Sequence, residues 1–421
     1  MMAPKETICI TGGCGWLGLK VADELLTSGY DVRLLDTRPV DFETLDRKVH
    51  NVDLLKAAEI IQGSVTDVEQ VTSALKGCNG VIHLAAYGMS GSDQLYAKEI
   101  RHVNIGGTLN VLEACLELGV ARLIYASSVG VVLNDQPIRD GREESLTYVP
   151  LEKQTNVYTA TKTEMEQLLL SKNGCSFKND SVESPTGEKT FKTCALRLRG
   201  VYGAGEQRTT ERAVELTRQG LLSLARFGDN PCMTQYSGGE NVRLALRLAY
   251  EALAPGRDTA GGKAYFLLDE TPVDGFAFWY PILDIFGKRK PLISIPHIVM
   301  FYISWLLECI HLLVGLEPLF TRFEVNIAGL TNWYSMQRAR EDLGYVPRQD
   351  HDLTEVVDYY RGKYCKGDRA CGTGATKLRM KGFVAGFAKA FTLVFAYLKL
   401  FLLSAVRIWG DSPHTAKAAE D

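Results

Sequence analysis

The run Thr7-Ile-Cys-Ile-Thr-Gly-Gly-Cys-Gly-Trp-Leu-Gly18 decides the fold of this chain. Thr7 to Ile10 is a short apolar strand, and the glycines follow it at once. Lys20 to Ser28 then reads as a helix with Leu19, Ala22, Leu25 and Leu26 on its inner face. A turn that adopts unusual backbone angles and lets a pyrophosphate come close needs residues without Cβ. Gly12, Gly15 and Gly18 supply them, spaced Gly-x-x-Gly-x-x-Gly. The N-terminus of that helix adds unpaired N–H groups and the positive end of the helix dipole, and Trp16 and Leu17, within the glycine run, are expected to border the cofactor with the glycines. A second strand, Asp31 to Asp36, ends in an acid ~20 residues beyond the glycines, where a ribose hydroxyl is gripped. Asp36 disfavours the extra phosphate of NADP and nearby Arg38 favours it, so NAD is expected and NADP stays open.

The segments that follow keep this order. Ile60 to Asp67 reads as a strand whose terminal acid, Asp67, is placed to bond an adenine edge. Gly80 to Ala86 reads as a buried strand running into small residues, so that a cofactor can lie against the backbone near Ala85. Asn104 stands early in an apolar helix, and Leu123 to Ser128 is a strand that delivers Ser127 and Ser128 at its carboxyl end. Parallel α/β sheets bind their ligands at those ends.

Tyr158 and Lys162, in Asn156-Val-Tyr-Thr-Ala-Thr-Lys162, are one helical turn apart and share a face. An ammonium beside a phenol favours the phenolate, so the pair is expected to exchange protons near neutrality.

Taken together, these residues resemble the extended short-chain dehydrogenases/reductases, and more narrowly the 3β-hydroxysteroid dehydrogenase/Δ5-4 isomerase family. The likeness runs from about Lys5 to Tyr360 and includes Cys194 to Gly203, Gly262 to Phe266 and Ser335 to Pro347. Ala86 to Gly91, Gly203 to Gln207 and Phe320 to Val325 look like short-chain dehydrogenase/reductase family 42E. The resemblance implies an NAD(P)-binding Rossmann fold and oxidation of a secondary alcohol, the substrate being a 3β-hydroxysteroid or sterol-like lipophile. It implies Tyr158 as the acid–base group, Lys162 as its modulator and ribose ligand, and Ser128, rather than Ser127, as the group polarising the substrate oxygen. Asn104 is similar to the asparagine that supports a water path to the lysine. Two departures stand out. Relatives carry Arg-Pro where this chain has Arg197-Leu198, and an aromatic-His-Val-x-Asn sequence where it has Tyr236-Ser-Gly-Gly-Glu-Asn241, so flexible glycines are expected there.

Composition fits this reading. A chain of 421 residues with 46% apolar content can bury a large core, and a net charge of −3 gives no electrostatic case for nucleic acid. The ten cysteines contain no Cys-x-x-Cys pair, which argues against zinc and for a reducing compartment. The expected architecture is α/β: a doubly wound parallel sheet over residues 1–200, then a substrate lobe over 201–364 with parts returning to the sheet. A basic linker (365–382) and a hydrophobic helix (383–409) follow. The polar stretch between Leu170 and Lys192 reads as an exposed inserted loop, and Asn179-Asp-Ser181 matches a glycosylation acceptor that a cytoplasmic domain leaves unused. The N-terminus runs directly into the first strand, so no cleaved signal peptide is expected.

Two apolar segments raise the question of a membrane. Phe383 to Trp409, bordered by Lys377, Arg379 and Lys381, is expected to anchor the chain, either spanning the bilayer or lying in its surface. Its charges put the catalytic part on the cytoplasmic side, with the endoplasmic reticulum as the expected membrane. Ile298 to Leu316 carries Ser304, Glu308, His311 and Gly315 as one polar stripe, and reads as a helix dipping into the bilayer surface or roofing a greasy pocket. A homodimer is compatible with all of this. Two rival functions stay open: epimerisation or reduction of a nucleotide sugar, and a non-enzymatic dinucleotide-binding protein.

Overall fold

Seven parallel strands lie side by side in the order Ala264–Phe266, Lys192–Leu198, Arg122–Ser128, Gly80–His83, Thr7–Thr11, Asp31–Asp36, Glu59–Gln62. The structure is a computed structural model and describes residues 5–178 and 184–365. The chain builds outward from Thr7–Thr11 in one direction, then returns to add Gly80–His83 on the other side. That reversal opens a crevice at the carboxyl ends of the two strands, the place where this architecture takes a ligand.

The central strands read as continuous apolar runs because helices cover both faces. Every residue of Arg122–Ser128 is buried. Alternate residues feed two cores. Ile8, Ile10 and Ile124 pack with Leu19, Leu25, Val242 and Ala245 on one face, and Cys9, Leu123 and Tyr125 pack with Val111, Met165 and Leu169 on the other. Cys9, Cys78, Cys115 and Cys194 serve as small core residues.

Residues beyond 200 contribute both to this sheet and to a smaller lobe. Helix Gly239–Ala252 packs along helix Trp16–Thr27, and Ala264–Phe266 extends the sheet. Glu24 of the first helix accepts hydrogen bonds from Arg247 and Arg348, which ties the two parts together. A second sheet joins Val273–Asp274, Met233–Thr234, Asn332–Tyr334 and Ile138–Gly141. The apolar helix His297–Val314 rests on Arg322–Gly329.

Several expectations need correction. The first helix starts at Trp16, four residues before Lys20, because the glycine turn passes straight into helical geometry. The third strand stops at Gln62, and Asp67 caps the next helix, Val68–Leu75, by accepting from the Gln70 N–H at 3.0 Å. The stretch after Leu170 is not simply exposed: Phe177 and Phe191 are buried, and Glu188 pairs with Arg122. The glycines after Tyr236 are not loose either. Ser237–Gly238 pairs in parallel with Val201–Tyr202, and a Cβ on Gly239 would lie 2.4 Å from the Trp16 ring. Gly315 ends the apolar helix with φ 72° instead of extending its polar stripe. The Asn179 acceptor and the anchor 383–409 lie outside the described residues, as does the linker beyond Cys365.

Candidate active site

Each motif glycine has a distinct steric reason. Gly12 takes φ +68°, and a Cβ there would stand 3.0 Å from the Ala85 nitrogen, so the turn lies directly on the end of the neighbouring strand. Gly18 has its own turn pressed against it, with the Gly13 oxygen 2.5 Å from an added Cβ. Gly15 is the open one: beyond the Gly12 oxygen at 3.2 Å, an added Cβ meets only Arg38 at 3.8 Å. Gly13, which the spacing passes over, is needed as well, since a Cβ there would lie 2.7 Å from the Ile10 oxygen. The first helical bond after the turn runs from Leu19 N–H to Gly15 O, so the N–H groups of Trp16 and Leu17 precede the ladder. An open glycine beside free helix-start N–H groups suits a pyrophosphate.

The side chain of Trp16 leaves this cradle clear. Its indole packs on Gly203 and Gly239 and donates to the Ala204 carbonyl at 2.8 Å, joining the turn to the second lobe. Asp36 is buried at the end of its strand and accepts from the N–H groups of Cys14 and Arg38, each at 3.1 Å. The exposed Arg38 guanidinium stands 3.9 Å away. Ala85 N–H reaches Thr11 Oγ1 at 3.3 Å, holding the two strand ends together at the crevice.

The catalytic candidates come from helix Val157–Ser171 and strand Arg122–Ser128. Asn156 caps the helix by accepting from the Thr159 N–H at 2.8 Å, which fixes the turn that carries Tyr158. Tyr158 is 5% exposed and Lys162 2%. The Lys162 ammonium donates to the Ala126 carbonyl at 2.7 Å and lies 4.6 Å from the Tyr125 ring centre and 5.8 Å from that of Tyr158. Ser128 Oγ accepts from Gly130 N–H at 3.1 Å, leaving its own hydrogen free to donate. A Cβ on Gly130 would lie 2.5 Å from Thr159, 3.3 Å from Ser128 Oγ and 3.4 Å from Phe323. Helix, serine and the Arg322–Gly329 helix therefore meet at one point.

The electrostatics depart from expectation. Burial pushes the Tyr158 phenol up to about 12, and the cation that opposes this is Arg208. Burial pulls Lys162 down to about 7, with Glu166 opposing the shift and Arg208 adding to it. In the free protein, desolvation outweighs the stabilisation of phenolate expected from the lysine. Asn104 sits in a widened helical turn, His102–Gly107, and its amide is committed: Oδ1 accepts from Tyr87 N–H at 2.8 Å, while Nδ2 donates to Tyr87 O at 3.0 Å and to Thr161 Oγ1 at 3.1 Å. It pins the strand-end loop to the Tyr158 helix.

Sequence reasoning missed four participants. Phe323 is placed by the long-range packing described above. Arg208, exposed, follows the Gly203–Gln207 loop, and its side chain reaches Met89 at 3.9 Å. Glu166 and Arg197 form a buried ion pair at 2.6 Å beneath the lysine. Glu166 had a signal, since it continues the Tyr158–Lys162 spacing by one more turn; the others had none.

Comparison with known proteins agrees with this geometry. The 3-beta hydroxysteroid dehydrogenase/isomerase family matches residues 9–297. Short-chain dehydrogenase/reductase family 42E member 1 of Mus musculus is 35% identical over 367 residues, covering 85% of this chain and 88% of that protein. The 3 beta-hydroxysteroid dehydrogenase/Delta 5→4-isomerase of Mycobacterium tuberculosis is 31% identical, covering 84% and 90%. Among solved structures, UDP-glucose 4-epimerase of Thermus thermophilus in complex with NAD shares the fold at 21% identity, with a TM-score of 0.58 and coverage of 85% and 99%. The chain belongs to the 3-beta hydroxysteroid dehydrogenase/isomerase family, an extended group of the short-chain dehydrogenases/reductases, alongside its 42E members.

Proposed function

We propose that this chain is a membrane-associated NAD-dependent dehydrogenase that oxidises a secondary alcohol on a 3β-hydroxysteroid or similar sterol-like substrate. The observation that carries the reading is the gathering of Tyr158, Lys162 and Ser128 at the strand ends beside the glycine cradle. The cofactor is NAD, held by Gly12, Gly15, Gly18 and the N–H groups of Trp16 and Leu17, with Asp36 at the adenosine ribose. When bound, it accepts the hydride. Ser128 donates to the substrate oxygen, and Tyr158 removes the hydroxyl proton. The ammonium of Lys162 holds the nicotinamide ribose and, brought near the phenol by that contact, favours its ionised form. Asp67 would meet the adenine edge, and the small residue Ala85 would let the cofactor lie against the backbone.

A lipophilic substrate suits the surroundings. Helix His297–Val314 is inverted relative to a soluble helix: Ser304, Glu308 and His311 face inward, while Tyr302, Leu312 and Leu313 face out, the last 77% exposed. Leu292, just before it, is 97% exposed. This helix packs on Arg322–Gly329, whose Phe323 stands by the Ser128 loop, so an apolar surface and the reacting atoms are one helix apart. The chain is membrane-anchored at the endoplasmic reticulum with its catalytic part on the cytoplasmic side, a reading supported by the positive charge of Lys377, Arg379 and Lys381 in the sequence.

The test is a screen of hydroxysteroids with the purified full chain, using NAD and NADP and following the absorbance of reduced nicotinamide. Turnover with a 3β-alcohol and NAD supports the reading; a flat response across sterols removes it. A second reading, nucleotide-sugar epimerisation, draws on Arg208, an exposed guanidinium that makes no ion pair among the described residues, whose charge is felt at Tyr158 and which suits an anionic substrate. Saturable binding of a UDP-sugar would favour that reading.

A further inference from the structure

Tyr158, Lys162 and Glu166 recur every fourth residue of one helix and point into the same interior, where Glu166 has no exposed surface. A carboxylate in such a place is expensive unless its charge is met. Glu166 Oε1 takes three donors: Arg197 Nε at 2.9 Å, Arg197 Nη2 at 2.6 Å and Tyr148 Oη at 2.8 Å. Oε2 is equally buried and makes no hydrogen bond among the described residues, nor does Arg197 Nη1. Guanidinium–carboxylate pairs frequently use both carboxylate oxygens. Here all three donors meet on Oε1, and Oε2 is left on the buried side of the helix without a donor among the described residues.

Arg197 comes from the strand beside the serine strand, in register with Ser127, so the pair links the centre of the sheet next to Ser128 to the helix that carries Lys162. Among the described residues, the charged and titratable groups facing Lys162 are Tyr158 and Glu166 on its own helix, Tyr125 on the serine strand, His83 on the next strand and Arg208 from the second lobe. Burial holds His83 neutral and Tyr125 protonated. That leaves Glu166 as the anion in the set.

We propose that Glu166, clamped by Arg197 and Tyr148, is a positioning residue that keeps Lys162 charged so that its ammonium can hold the cofactor ribose. The inference rests on the proposed role of Lys162 as ribose ligand and is independent of which alcohol is oxidised. Removing the carboxylate charge takes away the one charged neighbour, among the described residues, that favours the protonated lysine. The charged form is then lost at lower pH, and grip on the cofactor goes with it.

The experiment measures NADH affinity of the full chain by nucleotide fluorescence across neutral to alkaline pH, which needs no substrate. Glu166→Gln alone leaves a buried Arg197 without its partner and risks misfolding, so Glu166→Gln/Arg197→Met removes both charges at similar volume. Glu166→Asp keeps the charge. The expected result is a fall in affinity centred about one pH unit lower in the double variant, or roughly tenfold weaker binding at the wild-type midpoint. Glu166→Asp should stay near wild type, and thermal midpoints of all three should remain comparable. A folded double variant with the wild-type pH midpoint overturns the proposal, as does an equal shift in Glu166→Asp. If the double variant does not fold, an unshifted midpoint in folded Glu166→Gln overturns it and a lowered one supports it. NADH affinity that is insensitive to pH in wild type and unchanged by Lys162→Met would instead sink the lysine's role in the proposed function.

Discussion

The glycine turn and the proposed proton machinery both stand at the carboxyl ends of the parallel strands, yet they are built by opposite means. The cradle, Gly12 to Gly18, is local: its work is done by backbone N–H groups and by absent side chains, and each requirement is a clash that a Cβ would cause. The machinery around Tyr158 is assembled from afar. Lys162 bonds a carbonyl on one strand, Glu166 is held by an arginine from another, and the charge of Arg208 acts on Tyr158 from the second lobe. A site made of backbone is fixed by spacing, whereas a site made of buried charge depends on which groups the fold brings together.

The sharpest way to break the comparison is Tyr158→Phe. The phenolic oxygen makes no hydrogen bond that holds the fold among those described, so its loss should leave stability and NADH affinity nearly unchanged. Turnover should fall by about 10²–10⁴-fold, the usual weight of a positioned acid–base group. Stopped-flow and steady-state assays with the best alcohol would measure it. Retained turnover would mean that the buried phenol is packing and that the proton leaves by another group.

Gly18→Ala probes the opposite pole. The added methyl meets backbone of the same turn at 2.5 Å, which cannot yield without moving the strand or the helix. The expected cost is about 1–3 kcal/mol of stability, with NADH binding weakened in parallel. Gly15→Ala should lose much less stability, because its Cβ would meet one backbone atom, the Gly12 oxygen, at 3.2 Å, and its main loss should be in NADH affinity. Calorimetry and nucleotide titration of the two variants would separate them. If both lose stability equally, the division of labour among the glycines is wrong.

How much of this was legible follows the same divide. The strand–turn–helix start, Asp36 at its strand end, Ser128 and the Tyr158–Lys162 pair could be read from local pattern, because each is set by spacing within one element. The third strand was read too far, to Asp67, because Ser-Val-Thr-Asp before a helix is a capping sequence as much as a strand end. The glycines near Gly239 looked loose because nothing in the sequence discloses that Trp16, more than two hundred residues earlier, fills the space above them. Arg197 was noted for the proline missing after it, while its actual partner, Glu166, can be found only once sheet and helix are packed.

The pH dependence of the free protein is a smaller effect that sharpens the contrast. Lys162 is drawn from 10.5 to about 7 by burial, so between those values the unfolded chain binds a proton that the folded chain does not. Stability contributed by this group therefore rises with pH from about 7 toward 10.5 and is lost as pH falls back through that window. Lys162→Met should flatten that portion of the profile in denaturant titrations without cofactor. NADH should flatten it too, since an ammonium with ribose partners is less inclined to give up its proton. A slope unchanged in the variant would place the titrating group elsewhere.

The smallest expected effect concerns the residue where the two constructions touch. Trp16 opens the helix of the cradle, yet its indole lies in the second lobe, donating to a carbonyl of the buried Ala204. Trp16→Phe keeps most of the packing and removes that donor, which should cost about 1 kcal/mol. Because the N–H proposed to meet the phosphates belongs to the backbone, NADH affinity should hold within about twofold, well under the 1.4 kcal/mol that separates tenfold steps. A larger loss of NADH affinity at unchanged stability would place the indole against the dinucleotide. The cradle would then owe part of its grip to a side chain, and the contrast between a backbone site and a side-chain site would narrow to one of degree.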